Sequence, residues 1–230
     1  MNSFFSGQDC FLAEPRWQQV FDRIAAHDGL DPVAGEKRLL GHHYFSILAK
    51  IPSIMRLIFP LHEARVHGLP SPVDACSVAP QAIAIENIYQ DLVAWNVKLQ
   101  RMVAEPTEVP SQRVGSPWRT ILAFDNVWFG SLYMGYWTTK LILQEALYLL
   151  KGRNDFKEDT ELLTNRVLRS VESVGEGVMG PYRIGYGLRV AYDFSDTATR
   201  AWIKSQLKDY AKIYAGLDED SFVALDEHSP

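Results

Sequence analysis

VGEGVMGPYRIGYGLRVAYDF, Val174 to Phe194, decides between two kinds of fold. It holds five glycines (Gly175, Gly177, Gly180, Gly185 and Gly187) and a Gly180-Pro181 step. A phosphate-cradling loop requires a strand before it and a helix after it, with glycines where backbone approaches the anion. Here the preceding residues have helical periodicity, and the spacing matches neither GxxxxGK[ST] nor GxGxxG. The better reading is a helical corner. Gly175 to Gly180 ends one helix in left-handed or open geometry, and Pro181 begins the next, where its missing N–H is harmless. Gly185 and Gly187 then fall inside a helix at about 1 kcal/mol each against alanine, which predicts close approach by a neighbouring helix. Arg189 and Asp193, four apart, are expected to pair on the exposed side.

Working outward, the same periodicity repeats almost everywhere. Glu14 to His27 places Trp17, Val20, Phe21 and Ile24 on one face. Glu36 to Phe59 repeats Leu40, Tyr44, Ile47, Ile51, Ile54 and Ile58, with Pro52 predicting a break or kink near Ile51. Leu61 to Pro80 is rich in proline and reads as a loop. Gln81 to Val103 carries the cleanest stripe: Ile85, Ile88, Leu92, Trp95, Leu99 and Met102. Ala104 to Pro117 is a second proline-rich loop. Trp118 to Leu150 reads as one long helix, apolar nearly all round. Lys151 to Asp155 is a polar connection. Glu158 to Val178 has a Leu163, Val167, Val171, Val174, Val178 stripe. Pro181 to Phe194 and Thr197 to Tyr214 complete the series. The expectation is all-α: one irregular bundle of five to seven helices around a long aromatic-rich helix. It spans residues 1–216, with a looser N-terminal third and a loose acidic tail at 217–230.

Composition agrees with a packed core. Of 230 residues, 47% are hydrophobic and 12% aromatic. The net charge of −5 and the lack of a basic run leave no electrostatic footprint for a phosphate backbone, so direct nucleic-acid binding is not expected. Cys10 and Cys76 make no disulfide framework and no all-cysteine zinc cluster. An intracellular setting, cytoplasmic or nuclear, fits them. The opening MNSFFSGQDCFLAEPRW lacks the basic and apolar regions of a signal peptide. Asn126 to Thr139 is the longest uncharged apolar-looking run, short of the roughly 20 residues of a membrane span, so no span is expected.

Chemistry-bearing patterns are few. His42 and His43, adjacent on a helix, point about 100° apart and suit no shared metal. ENIYQD (Glu86, Asn87, Asp91) holds only a fragment of the aspartate-rich motif with which helical terpene cyclases grip magnesium and diphosphate; a solvated helix face explains it as well. No GxSxG is present. Asp125 and Glu145 sit in the otherwise apolar helix expected over Trp118 to Leu150, where a buried carboxylate must be paired or have a raised pKa. Trp128, Phe129, Tyr133, Tyr136 and Trp137 crowd one helix. They form either plain core or the wall of a cavity for a hydrophobic ligand.

The corner SVGEGVMGPYRIGYGLRVAYDF and FDNVWFGSLYMGYWTTKLILQEALYLL together resemble the C-terminal helical region of fungal binuclear zinc-cluster transcription factors. The likeness in pattern covers roughly Leu39 to Tyr214. The six-cysteine DNA-binding module of those regulators has no counterpart here. The resemblance implies a regulator-like scaffold of fungal specialised metabolism. Such a scaffold would bind another regulatory protein or a hydrophobic small molecule; the sequence leaves homo-oligomerisation open. The alternative is a small enzyme of the same metabolism, a cyclase, isomerase or pericyclase needing no cofactor. Asp125 or Arg183 would then polarise the substrate, and Trp128, Tyr133, Tyr136, Trp137 and Tyr182 would contact the ligand in either case.

Overall fold

The computed structural model describes Cys10, Glu14, Arg16, Trp17, Gln19, Val20, Arg23, residues 32–152 and residues 156–214. Arg16, Trp17, Gln19, Val20 and Arg23 are helical, as the Glu14 to His27 pattern predicts. Phe21 and Ile24 of that face, and the acidic tail at 217–230, lie outside the described residues. Among those described the chain is mostly helical, with one short two-stranded sheet. It forms two compact units, one from Met1–Ala104 with Ile142–Phe156, the other from Glu105–Leu141 with Lys157–Pro230.

In the first unit α1 (Pro32–Leu48), α2 (Ile51–Val66) and α3 (Ala75–Met102) are joined by the later part of α4 (Val127–Lys151). Pro52 acts as expected. It lacks the N–H that would continue α1, so the chain turns at Ala49–Lys50 and proline takes a first-turn position of α2. Leu40, Tyr44, Ile47, Ile51, Ile54 and Ile58 are buried, as are Ile85, Leu92, Trp95 and Leu99 of the α3 stripe. Trp95 is the anchor between them. Its Nε1–H donates to the Leu40 carbonyl at 2.8 Å, and its ring lies 4.9 Å from that of Tyr44. Gly35–Arg65 is long and apolar enough to cross a membrane by length and composition. Here the turn interrupts it, and its apolar stripe is buried within the unit.

The loop expected over Leu61 to Pro80 is shorter. Helix α2 continues to Val66 and α3 starts at Ala75, with Pro60 and Pro80 inside helices. Each proline orphans the carbonyl four residues back. Arg56 and Cys76, which carry those carbonyls, are exposed, as are both prolines, so water is at hand for the orphaned groups. Asp74 caps α3 by accepting the Cys76 N–H.

In the second unit β1 (Thr107–Pro110) and β2 (Thr120–Ala123) pair antiparallel, Thr107 opposite Ala123 and Pro110 opposite Thr120. The early part of α4 follows, then α5 (Lys157–Val174), α6 (Gly180–Asp193) and α7 (Thr197–Ala211). The single helix expected over Trp118 to Leu150 is therefore corrected. Its first residues form β2, with Ile121 and Leu122 buried, and α4 begins only after Asn126, whose Oδ1 accepts the Trp128 N–H at 2.7 Å. Helix α5 holds the sheet. Arg169 binds Glu108 at 2.8 Å and the Thr120 carbonyl at 3.0 Å, and Ser173 Oγ donates to the Leu122 carbonyl at 2.6 Å. The Arg169 and Thr120 hydrogen bonds hold the Glu108 carboxyl below the usual range.

The glycine corner forms as expected, with one displaced stripe. Helix α5 ends at Val174, Gly177 takes φ 74°, and Pro181 lies in the first turn of α6. Val178 therefore leaves the buried stripe and is 85% exposed. A β-carbon on Gly187 would stand 2.5 Å from Met134 Cε, so the expected close approach exists and α4 makes it. Arg189 pairs with Asp193 at 2.9 Å; the guanidinium, however, is buried, and only the carboxylate faces water. Gly180 is the tightest point, because a β-carbon there would run into the Gly175 carbonyl, which is backbone and cannot swing aside. Gly180→Ala is expected to lower stability by about 1–3 kcal/mol, seen as a lower Tm; an unchanged Tm would show that the corner is looser than described.

Candidate functional site

Tyr133 and Trp137 are four apart on α4 and share a face. Phe124 returns from the segment ahead of the helix to join them. Its ring lies 5.9 Å from Tyr133 and 6.4 Å from Trp137, and those two are 5.7 Å apart. Gly130 makes the return feasible, since a β-carbon there would sit 2.8 Å from the Phe124 ring and 2.9 Å from Val174 Cγ2. The Arg166 guanidinium of α5 lies 5.6 Å from the Trp137 ring centre, a cation–π geometry. Lys140 and Asp159 pair at 2.7 Å, again between α4 and α5. Trp137 is 1% exposed and Tyr133 2%. Burial pushes the Tyr133 phenol up, Glu105 adding to the rise and Arg166 opposing it.

The other expected site residues are dispersed. Tyr136 is buried, about 100° round α4 from Trp137. Asp125 is exposed and precedes the helix cap, so it is a solvated carboxylate rather than a buried acid. Trp128 is 40% exposed, its ring against Phe129 at 5.1 Å. Arg183 reaches the Glu176 carbonyl at 3.3 Å, and Tyr182 is exposed with its ring 6.2 Å from Tyr214. Glu145, the one carboxylate of α4, faces His62 Nδ1 at 3.7 Å. Glu86 and Asp91 of α3 are exposed and pair with Lys151 and Lys50, as a solvated face would. Among the described residues no group of three or more His, Cys, Asp or Glu is placed to hold a metal ion.

A second polar cluster has no local signal in the sequence. Arg113, on the β1–β2 loop, donates to Gln206 Oε1 and to the Tyr210 hydroxyl, both carried by α7. Ser111 Oγ and the Gln112 N–H donate to Glu172 at 2.7 and 2.9 Å. Trp118 meets Trp202 edge-on at 4.9 Å. The loop is thus tied to α5 and α7 by long-range contacts that periodicity cannot reveal. Burial raises the Tyr210 phenol, with Arg113 acting the other way. No family model, curated protein or solved structure matches the chain.

Both phenols hold their protons more tightly in the folded state than the ordinary 10.0. Their contribution to stability is complete below the unfolded pKa of about 10 and is lost as pH rises through the folded values. Denaturation between about pH 8 and about pH 11 should show stability falling across the upper end of that range, and falling less steeply in Tyr133→Phe. Equal slopes in the two proteins would mean that Tyr133 does not resist ionisation.

Proposed function

We propose that this chain is a regulator-like helical module of fungal specialised metabolism. In this reading it works by binding another protein, and α4 is the central, aromatic-rich helix of the scaffold, which the near-continuous burial from Leu132 to Leu147 supports. The observation that carries the reading is an apolar surface at the α5–α6 corner and the end of α7. Val178 is 85% exposed, Met179 53%, Tyr182 51% and Ile213 62%, and the Tyr182 and Tyr214 rings touch across it. Exposed apolar groups gathered in one place mark interaction surfaces, and Tyr and Met are residue types that interfaces favour. Small-molecule sites are concave and enclose their ligand; side chains standing out into water suit a protein partner better. The enzyme alternative draws less support, because Phe124, Tyr133 and Trp137 pack on one another and Asp125 lies in solvent.

A photo-crosslinking amino acid placed at Tyr182 tests this in cells that make the protein. One discrete protein adduct is expected. Ile213→Asp should reduce it at least about tenfold, the equivalent of 1.4 kcal/mol of binding, while the same probe at exposed Leu162 gives none. Equal capture at both positions, or no adduct together with turnover of a small substrate, would overturn the reading.

A further inference from the structure

Ser116-Pro117-Trp118-Arg119 lies in the loop that joins β1 to β2. The Ser111 N–H to Arg119 carbonyl bond, 2.9 Å, closes the base of that loop. Beyond it Val114 is fully exposed, Gly115 takes φ 82°, and Pro117 and Arg119 face water. A serine followed by proline, with a basic residue third after it, is the pattern that one class of proline-directed protein kinases selects. We propose that Ser116 is a phosphorylation site for a kinase of that class, and that the phosphate releases the loop from α7.

The second half of the proposal follows from the contacts. Ser116 Oγ donates to the Trp118 carbonyl at 3.1 Å and accepts the Trp118 N–H at 3.3 Å. This short turn sets the position of Trp118, whose ring meets Trp202. In the transfer, the serine oxygen attacks the γ-phosphorus of ATP and the bond from that phosphorus to the bridging oxygen breaks. ADP departs, and the hydroxyl proton passes to the kinase's base. The product is an ester that cannot donate to the Trp118 carbonyl. It also carries about −1.5 to −2 charge. Arg113 and Arg119 flank it in sequence, and a guanidinium prefers a phosphate, with which it makes charge-assisted paired bonds, to a neutral amide or phenol. Arg113 is thereby drawn away from Gln206 and Tyr210, the two α7 groups it holds in the unmodified protein. Ser71-Pro72 provides an internal comparison. It is also exposed, between α2 and α3, but Asp74 stands where Arg119 stands relative to Ser116.

The intact chain, a proline-directed kinase with a basic preference, and magnesium ATP are sufficient for the test, read by mass spectrometry. Phosphate is expected on Ser116 at least about tenfold faster than on Ser71, a ratio within reach of ordinary side-chain discrimination. Arg119→Asp should slow Ser116 by a similar factor. Trp202→Ala, which frees Trp118, should speed it. Tryptophan fluorescence should shift on phosphorylation of the wild type and not of Ser116→Ala. Absence of phosphate from Ser116 in both the wild type and Trp202→Ala would overturn the site. Equal labelling of Ser71 would overturn the stated selectivity. An unchanged tryptophan signal in the phosphorylated wild type would overturn the release of the loop.

Discussion

The burial of α4 is the constraint on which most of the packing described above depends, and Leu132 to Leu147 is almost continuously buried. Its 25 residues include only three charged side chains, Lys140, Glu145 and Lys151. An apolar helix of this length has no broad face to give to water, and Leu132, Trp137, Leu141 and Leu143 are each 3% exposed or less. Residues up to Leu141 belong to one compact unit and those from Ile142 to the other. Three of its polar side chains have identified partners. Thr138 donates to the Met134 carbonyl at 2.8 Å, Lys140 pairs with Asp159, and Glu145 faces His62. Thr138, fully buried, would otherwise be a polar group without compensation, at a cost of order 1–3 kcal/mol.

Glycine decides how closely the covering elements approach. Gly187 admits Met134 against α6, Gly130 admits the Phe124 ring, and Gly180 lets the α5–α6 corner fold onto its own backbone. These are positions where even one methyl group needs a neighbour to move. The corner that results leaves Val178 outside the stripe it would have joined, had α5 continued, and exposes Met179 beside it. One local constraint therefore both closes the packing and exposes the surface on which the functional proposal rests. The β1–β2 loop shows a different economy. It is polar and proline-rich, yet Arg113, Ser111 and Trp118 fasten it to helices far away in sequence.

Much of this organisation was legible in the residues, and the reasons for the gaps are physical. The α3 stripe is an amphipathic pattern with one reading, and Leu92, Trp95 and Leu99 are buried accordingly. Pro52 and the Gly175–Pro181 run act through backbone geometry, which local sequence determines. By contrast, Trp118 to Leu150 is apolar throughout, and a uniformly apolar run does not distinguish a buried strand from a buried helix. Only the Asn126 cap and the β-branched Thr120-Ile121 pair mark the true boundary. Pro60 and Pro80 looked like loop residues because solvent access to Arg56 and Cys76 cannot be read from the chain. In the candidate site, the Tyr133–Trp137 pair follows from helical spacing. The return of Phe124 and the Arg113–Gln206–Tyr210 cluster depend on tertiary contacts with no periodic trace.

Hydrogen–deuterium exchange along α4 tests the central claim most directly, because protection reports local opening rather than average exposure. Amides from Leu132 to Leu147 should exchange among the slowest in the protein, much slower than those of Gln112 to Trp118. Exchange of that α4 segment as fast as the loop would mean that the helix is not enclosed, and the account built on its burial would fail.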